Sequence, residues 1–275
     1  MVIYSRKIYK HKRYNFSKKI SSNIKKKKFK GGDKIGEGNT ASVYRPAIDC
    51  IPEFITNSPN NYVSKVFEED KYALKELNAS ELIKSRIDDP DEFIILPVHF
   101  CKTDLNNIII YPYGGKTIEY YIHKNNSADV KKDIIYSIMN LFDFVVKMNK
   151  ADICHGDIFK NNIVYNEETK KSLLIDLEKM KEFNILVNKE RLFLTTRAKK
   201  YSENFINRNI NEIYNRDTYG IIKTIESIIE KKYKKLYYTK YEKLCDWFVI
   251  NRDIPSDEYN NKIQELFDTI KTDIV

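Results

Sequence analysis

The sequence predicts an α+β fold in which a small, antiparallel sheet-rich lobe precedes a larger, mainly helical lobe. Short segments rich in β-branched and aromatic residues, bounded by glycine or proline, dominate up to about residue 112. Beyond about residue 116, apolar residues mostly recur at helical spacing. The chain has 275 residues, 42% of them hydrophobic, which is enough for two lobes around a substantial core. Strands followed by helices are typical of an α+β domain.

The first lobe begins with a glycine turn between two strands, at residues 34–44. The other elements predicted for this lobe are strands at 62–67, 93–100 and 107–111 and a helix at 69–87.

The second lobe is predicted to be helical, apart from two short strands that follow a polar loop. The helices are predicted at 117–122, 130–149, 217–231, 240–250 and 257–271, and the strands at 163–165 and 172–175.

The positive charge of the chain is concentrated at its start. Residues 1–30 carry twelve Lys or Arg and no acid, so the remaining chain has 36 basic and 39 acidic residues, or −3. We expect residues 1–29 to be a disordered basic tail and residues 30–275 to form the domain. A tail of this kind suits a polyanionic partner, either a nucleic acid or an anionic surface.

The composition favours an intracellular protein without a transmembrane segment. No apolar run approaches the roughly 20 residues that a membrane-spanning helix needs. The start of the chain leads into lysines rather than into the apolar core of a signal peptide. The four cysteines are widely spaced, so neither a zinc site nor a disulfide framework is expected.

The glycine turn is a candidate phosphate-binding loop. Gly36 and Gly38 lack side chains, which lets backbone N–H groups approach phosphate oxygens. Ile35 precedes the turn, and Val43 is positioned to cover an adenine ring. Ala41 stands where a third glycine often lies, and a plain hairpin turn explains the two glycines equally well. No Gly-Lys-Ser/Thr occurs in the chain, which excludes a Walker A loop.

Lys65, on the third predicted strand, is the candidate ligand of the nucleotide phosphates. Strand parity alone does not decide its direction. Lys75 lies in a similar local sequence, but its surroundings have helical spacing. Glu81 is the predicted partner of Lys65, because it shares a face with apolar residues of the predicted helix, and Glu76 is the alternative.

The strongest signal is a polar loop followed by an acid at the end of an apolar run. Asp157 is predicted to accept the proton of an attacking hydroxyl, and Asn162 and Asp176 to hold Mg²⁺ against nucleotide phosphates. Lys160 is a candidate for stabilising the transferred charge, and His155 is expected to be structural. An incidental polar turn is the alternative, which the flanking strands and the preceding glycine turn disfavour.

In these residues the chain resembles the protein-kinase-like superfamily, and in particular the serine/threonine protein kinases of large nucleocytoplasmic DNA viruses (mimivirus- and iridovirus-like). The similar segments are 30–32, 36–38, 45–50, 63–65, 87–90, 113–115, 155–157 and 175–177. The resemblance implies a bilobal kinase fold, with an N-lobe at about 30–112 and a C-lobe at about 116–275. It also implies ATP, Mg²⁺ and phosphoryl transfer to a protein substrate, in a host cytoplasm or a virion.

Several positions depart from the pattern of the family. Gly156 replaces the arginine that usually precedes the catalytic Asp, and Lys160 lies three rather than two residues past that Asp. Asp176-Leu177-Glu178 stands for Asp-Phe-Gly, and no Ala-Pro-Glu follows. Because Gly156 removes the arginine that would receive a phosphate, activation by phosphorylation of Thr195, Thr196 or Tyr201 is not expected. Asp217 is a candidate for tying down the catalytic loop.

Two alternatives stay open. Small-molecule kinases of the aminoglycoside and choline phosphotransferase type also have His-Gly-Asp followed by Asn, and they also lack Ala-Pro-Glu. The glycine-rich turn favours the protein kinases. A non-catalytic pseudokinase scaffold is the second alternative, with mild support from Ala41 and Glu178, but every predicted base and metal position is filled.

Overall fold

The computed structural model describes residues 32–47, 58–104, 106–124, 126–182, 211–229 and 257–274. The predicted basic tail and the helix predicted at 240–250 lie outside these residues. The limits predicted for the tail and for the domain therefore stay predictions.

The first lobe is built on a five-stranded antiparallel sheet with the order β1-β2-β3-β5-β4. Its strands are β1 (Asp33–Glu37), β2 (Ala41–Arg45), β3 (Tyr62–Phe67), β4 (His99–Lys102) and β5 (Asn107–Pro112). The β5 strand lies inside the sheet, and its three consecutive isoleucines, Ile108, Ile109 and Ile110, are completely buried. A run of β-branched residues without alternation is what a strand covered on both faces requires.

The strand predicted at 93–100 is largely wrong. A 3-10 turn at Pro90–Glu92 precedes this stretch, and only its end belongs to β4. The buried residues between them leave the sheet and contact the second lobe instead: the N–H of Ile95 donates to the carbonyl oxygen of Leu174 at 2.9 Å. Pro97 has no N–H, so this stretch cannot complete a ladder of hydrogen bonds.

One long helix, α1 (Asp70–Arg86), packs on the sheet as predicted. Its buried side chains recur at positions three and four apart: Ala73, Glu76, Ala79, Ser80 and Ile83. Leu74, in contrast, is 52% exposed. The buried face of α1 therefore contains a glutamate, and this feature matters for the site.

The described part of the second lobe is mainly helical, as predicted, and contains five short strands. The helices are α2 (Ile118–His123), α3 (Ala128–Lys150), α4 (Asn211–Ile228) and α5 (Asp257–Ile274). The strands are β6 (Lys116–Thr117), β7 (Ile153–Cys154), β8 (Ile163–Asn166), β9 (Lys171–Leu174) and β10 (Lys181–Glu182). They form a three-stranded sheet, β6-β8-β9, and a two-stranded sheet, β7-β10.

The largest hydrophobic core lies around α3. Its buried residues include Ile134, Ile138 and Val145, at the helical spacing seen in the sequence. Phe142 of α3 meets Phe267 of α5 edge to face, with ring centroids 5.3 Å apart. This core supports β7–β9, the strands that flank the polar loop.

The predicted α+β class, with a small antiparallel-sheet lobe followed by a helical lobe, is confirmed. Across the described ranges, none of the helices combines the length and the apolar character that crossing a membrane needs. Cys154 is a buried free thiol. Cys101 on β4, in contrast, is disulfide-bonded, which the cysteine spacing did not lead us to expect.

Candidate active site

A cleft of about 1320 Å³ separates the sheet from the helical lobe. Among the residues predicted to act in catalysis, nucleotide binding or metal binding, all but Glu81 line this cleft. The residues in question are Ile35, Gly36, Gly38, Val43, Lys65, Asp157, Lys160, Asn162 and Asp176. The structure thus brings them together, while their chemical roles stay predictions.

Strand register explains why the candidates of the first lobe face the cleft together. Gly36 on β1 is opposite Val43 on β2, and Val43 is in turn opposite Lys65 on β3. Residues directly opposite in an antiparallel pair project from the same face of the sheet. The direction of Lys65, which strand parity left undecided, is therefore that of Val43.

The glycine turn has open space above it. A Cβ at Gly36 would meet nothing closer than Val43 at 3.6 Å, and one at Gly38 nothing closer than the carbonyl oxygen of Ala41 at 3.7 Å. The packing of the protein therefore does not require glycine at either position. The missing side chains leave room for a ligand to approach the backbone.

Lys65 is the centre of a charged cluster. Its Nζ contacts Oε1 of Glu76 and lies 2.8 Å from Oδ1 of Asp176. Burial alone lowers the pKa of Lys65, but the two carboxylates outweigh this effect and raise the pKa above its usual range. Burial likewise raises the pKa of Asp176, but the charge of Lys65 and its hydrogen bond outweigh it and hold the pKa below its usual value. Both groups are therefore charged at neutral pH.

The prediction that Glu81 pairs with Lys65 is wrong. The Glu81 side chain is 77% exposed and lies 3.7 Å from Lys84, whereas the Glu76 side chain is 1% exposed. Because α1 has 3.6 residues per turn, residues five positions apart lie on different faces. The alternative partner, Glu76, is the correct one.

Tyr111 completes the cluster, and sequence reasoning missed it. Its hydroxyl donates to Oε2 of Glu76 at 2.8 Å, so both carboxylate oxygens of Glu76 are engaged. Burial and the neighbouring Glu76 raise the pKa of Tyr111, which keeps the phenol protonated as a donor. Side chains two positions apart on a strand project from the same face, so Tyr111 shares a face with Ile109. This position on β5 was the sequence signal that could have identified Tyr111.

The polar loop between β7 and β8 presents Asp157 to the cleft. Oδ2 of Asp157 accepts a hydrogen bond from Nδ2 of Asn162 at 3.0 Å. It also lies 2.9 Å from Nζ of Lys179, a residue that the sequence analysis did not consider. The Asp157 side chain is 17% exposed, so it is held in place but remains accessible.

Asp217 fixes the backbone of this loop, as the sequence predicted. Its two carboxylate oxygens accept from the N–H groups of His155 at 2.6 Å and Gly156 at 2.9 Å. Burial raises the pKa of Asp217, and the two N–H donors oppose this shift. His155 is also structural: it is completely buried, and its Nε2 lies 3.1 Å from the carbonyl oxygen of Ile175.

Lys160 lines the cleft as expected, and its ammonium pairs with a carboxylate of α2. Its Nζ lies 2.5 Å from Oε2 of Glu119 on α2. The N–H of Glu119 in turn donates to the carbonyl oxygen of Lys160 at 3.1 Å. The ammonium of Lys160 is thus engaged by α2, while Lys179 is the lysine that contacts the carboxylate of Asp157.

Asn162 and Asp176 offer oxygens that suit Mg²⁺. Nδ2 of Asn162 donates to the side chain and the carbonyl oxygen of Asp157, which leaves its amide oxygen as the atom for a cation. Carboxylate and amide oxygens are ligands of hard cations such as Mg²⁺. No group of three His, Cys, Asp or Glu able to hold a metal occurs in the described part of the chain. Phosphate and water oxygens would therefore have to complete the coordination.

The segment that joins the lobes offers few backbone donors. Pro112 has no N–H, and the N–H of Tyr113 donates to the carbonyl oxygen of Asn61 at 2.7 Å. The guanidinium of Arg45 lies 3.5 Å from the centre of the Tyr113 ring. A donor to an adenine base must therefore come from a backbone group other than those of Pro112 and Tyr113.

Comparisons with known proteins find a similar curated protein and a similar solved structure. No protein-family model matches it. A protein of Dictyostelium discoideum, named as a probable serine/threonine-protein kinase, is 27% identical over 149 residues. These residues are 54% of this chain and only 15% of that protein. The solved structure of the PK-1 kinase of Cydia pomonella granulovirus has a TM-score of 0.41 and 17% identity, and the match covers 56% of this chain and 55% of that one.

The sheet, the helical lobe and the cleft between them define the class: a bilobal, protein-kinase-like α+β fold.

Proposed function

We propose that this chain transfers the γ-phosphoryl group of ATP to serine or threonine hydroxyls of a protein substrate. One observation carries the proposal: Lys65, paired with Glu76 and Asp176, shares a cleft with Asp157 and its partner Asn162. Phosphoryl transfer needs a cation on the phosphates, oxygens for a metal and a carboxylate for the attacking hydroxyl.

Each of these residues has a role in the proposed reaction. Lys65 binds the phosphates of ATP, and its ion pair with Glu76 holds it in position. Asn162 and Asp176 hold Mg²⁺, which when bound neutralises negative charge on the phosphates. Asp157 orients the acceptor hydroxyl and takes its proton. The backbone at Gly36 and Gly38 covers the phosphates, and Ile35 and Val43 cover the adenine.

The choice of acceptor rests on weaker support. The relative named as a serine/threonine kinase favours a protein substrate. Gly156, which has a φ of +75°, belongs to a His-Gly-Asp string that small-molecule kinases also have. This string favours a small-molecule acceptor instead. The resemblance to kinases of large DNA viruses, with a host cytoplasm or virion as the location, belongs to the same proposal.

The test is incubation of the purified chain with labelled ATP and Mg²⁺, in separate reactions with protein acceptors and with aminoglycosides and choline. Asp157→Asn and Asp176→Asn should each lower transfer at least 100-fold, and chelation of Mg²⁺ should abolish it. Asp133→Asn is the matched control, because Asp133 also pairs with a lysine at 2.9 Å but does not line the cleft.

Each outcome separates two functions. Label on protein supports the proposal, and label on small molecules alone supports the second candidate. Absence of transfer together with absence of any nucleotide-induced rise in melting temperature contradicts both and favours a non-catalytic scaffold.

A further inference from the structure

We propose that Lys179 is the cation that contacts the transferred phosphoryl group, in the role that the sequence suggested for Lys160. This inference rests on the proposed function, phosphoryl transfer from ATP. It adds a catalytic residue that lies outside the loop containing Asp157.

Lys160 already pairs with another residue, Glu119 on α2. Its ammonium lies 2.5 Å from the carboxylate of Glu119, and its carbonyl oxygen accepts from the N–H of the same residue. The Lys160 side chain is 22% exposed, so it is confined between α2 and its own loop. Moving it to a phosphate would break an ion pair and leave the carboxylate of Glu119 without this lysine.

Lys179 lies beside the predicted catalytic base. Its Nζ lies 2.9 Å from Oδ2 of Asp157, the residue expected to receive the proton of the acceptor hydroxyl. In phosphoryl transfer the attacking oxygen lies between the base and the phosphorus. A cation beside the base is therefore also beside the phosphoryl oxygens. The Lys179 side chain is 42% exposed, so an incoming phosphoryl group can reach its ammonium beside Asp157.

The backbone of Lys179 is held in place by the turn to which it belongs. It ends a 3-10 turn, Leu177–Lys179, in which Leu177 is completely buried and Glu178 accepts from the hydroxyl of Thr40 at 3.0 Å. Gly156 makes room for this turn: a Cβ there would lie 2.9 Å from the carbonyl oxygen of Lys179. The replacement of the usual arginine by Gly156 and the approach of Lys179 are thus one feature.

The chemistry requires no proton transfer from Lys179. The acceptor oxygen forms a bond to the γ-phosphorus, and its proton goes to Asp157. The bond from that phosphorus to the bridging oxygen breaks, and ADP leaves with the electron pair. Lys179 keeps its protons throughout and donates hydrogen bonds to the non-bridging oxygens, where negative charge resides.

The test compares Lys179→Ala, Lys179→Arg and Lys160→Ala. The matched control is Lys170→Ala, because Lys170 also pairs with an Asp at 2.9 Å but lies away from the cleft. Lys179→Ala should lower kcat about 100-fold. It should weaken binding of a non-hydrolysable ATP analogue about tenfold while leaving ADP affinity unchanged. Lys179→Arg should restore most of both quantities, and Lys170→Ala should change neither.

Three results would overturn the inference: unchanged kcat in Lys179→Ala, equal weakening of ADP and of the analogue, or a larger loss in Lys160→Ala. Failure of the proposed function itself looks different, because the unmodified chain would then show no transfer at all. In that case analogue binding still decides whether Lys179 meets the terminal phosphate.

Discussion

The hydroxyl of Tyr111 donates a 2.8 Å hydrogen bond to Oε2 of Glu76, the carboxylate whose other oxygen meets Lys65. The Glu76 side chain is 1% exposed, so water does not replace either donor. Tyr111 therefore positions Lys65 indirectly, by fixing the orientation of its partner.

Replacing Tyr111 by Phe should remove this donor and leave a buried carboxylate oxygen unsatisfied. We expect the free energy of unfolding to fall by about 1–3 kcal/mol and ADP to bind several-fold more weakly. Chemical denaturation and titration with ADP measure the two effects. Tyr121→Phe is the control, because its hydroxyl bonds to Glu167 at 2.9 Å, outside the cleft. This variant should lose stability alone; equal ADP affinity in both variants would refute the positioning role.

Glu76 and Glu81 allow a direct test of which glutamate holds Lys65. Glu76→Gln should lower nucleotide affinity about tenfold or more, because Lys65 loses a charge-assisted hydrogen bond. Glu81→Gln changes only an exposed side chain on the same helix and should leave affinity unaltered. Isothermal titration with ADP gives both values. A loss in Glu81→Gln comparable to that in Glu76→Gln would restore the original assignment.

Gly156→Ala should destabilise the protein by about 1–3 kcal/mol, because φ is +75° and the new Cβ would lie 2.9 Å from the carbonyl oxygen of Lys179. Gly38→Ala meets only ordinary contacts at 3.7 Å and should leave the free energy of unfolding nearly unchanged. It should nonetheless weaken ATP binding, since its methyl group enters the space of the phosphates. Thermal unfolding with and without nucleotide separates the two variants, and equal melting temperatures would contradict this account.

The thiol of Cys154 should resist alkylation in the native protein. Burial raises the pKa of Cys154 to about 12, so only about one molecule in 10,000 carries the reactive thiolate at pH 8. Reactivity should increase as the pH approaches that pKa. Iodoacetamide labelling of the tryptic peptide 151–160, followed by mass spectrometry, measures the rate. The control is the same reaction in denaturant, where labelling should be fast; equal rates would show that the thiol is accessible.

The basic residues 1–29 lie outside the described residues and are tested by deletion. We expect their removal to leave phosphoryl transfer intact and to weaken salt-sensitive binding to polyanions, because twelve of the cations lie in residues 1–30. Binding to heparin and to single-stranded DNA at rising salt measures the change. Unchanged affinity would contradict this prediction.

The sequence predicted those features of the molecule that depend on local pattern. The strand at Tyr62–Phe67 and the helices α1, α3 and α5 follow their hydrophobic periodicity closely. The loop from His155 to Asn162 and the carboxylate of Asp176 were also recognisable, because their spacing in the chain is itself the signal.

Features that depend on contacts between distant segments were not predictable in this way. Choosing Glu81 over Glu76 gave weight to Leu74, an apolar residue that is 52% exposed. Lys179 contacts Asp157, which lies 22 positions earlier in the chain, and Asp176, just before Lys179, has a φ of +69°. Left-handed backbone at a non-glycine residue is uncommon, and no pattern announces it.

The occupied amide of Tyr113 has a consequence for inhibitor chemistry. Some compounds bind an interlobe segment through several adjacent backbone N–H groups. Here Pro112 has no N–H, and the N–H of Tyr113 already donates to the carbonyl oxygen of Asn61. A heterocycle with a single acceptor for another backbone donor, and a hydrophobic edge against Val43, suits this cleft better. Selective compounds for this chain should therefore be sought among such monodentate scaffolds.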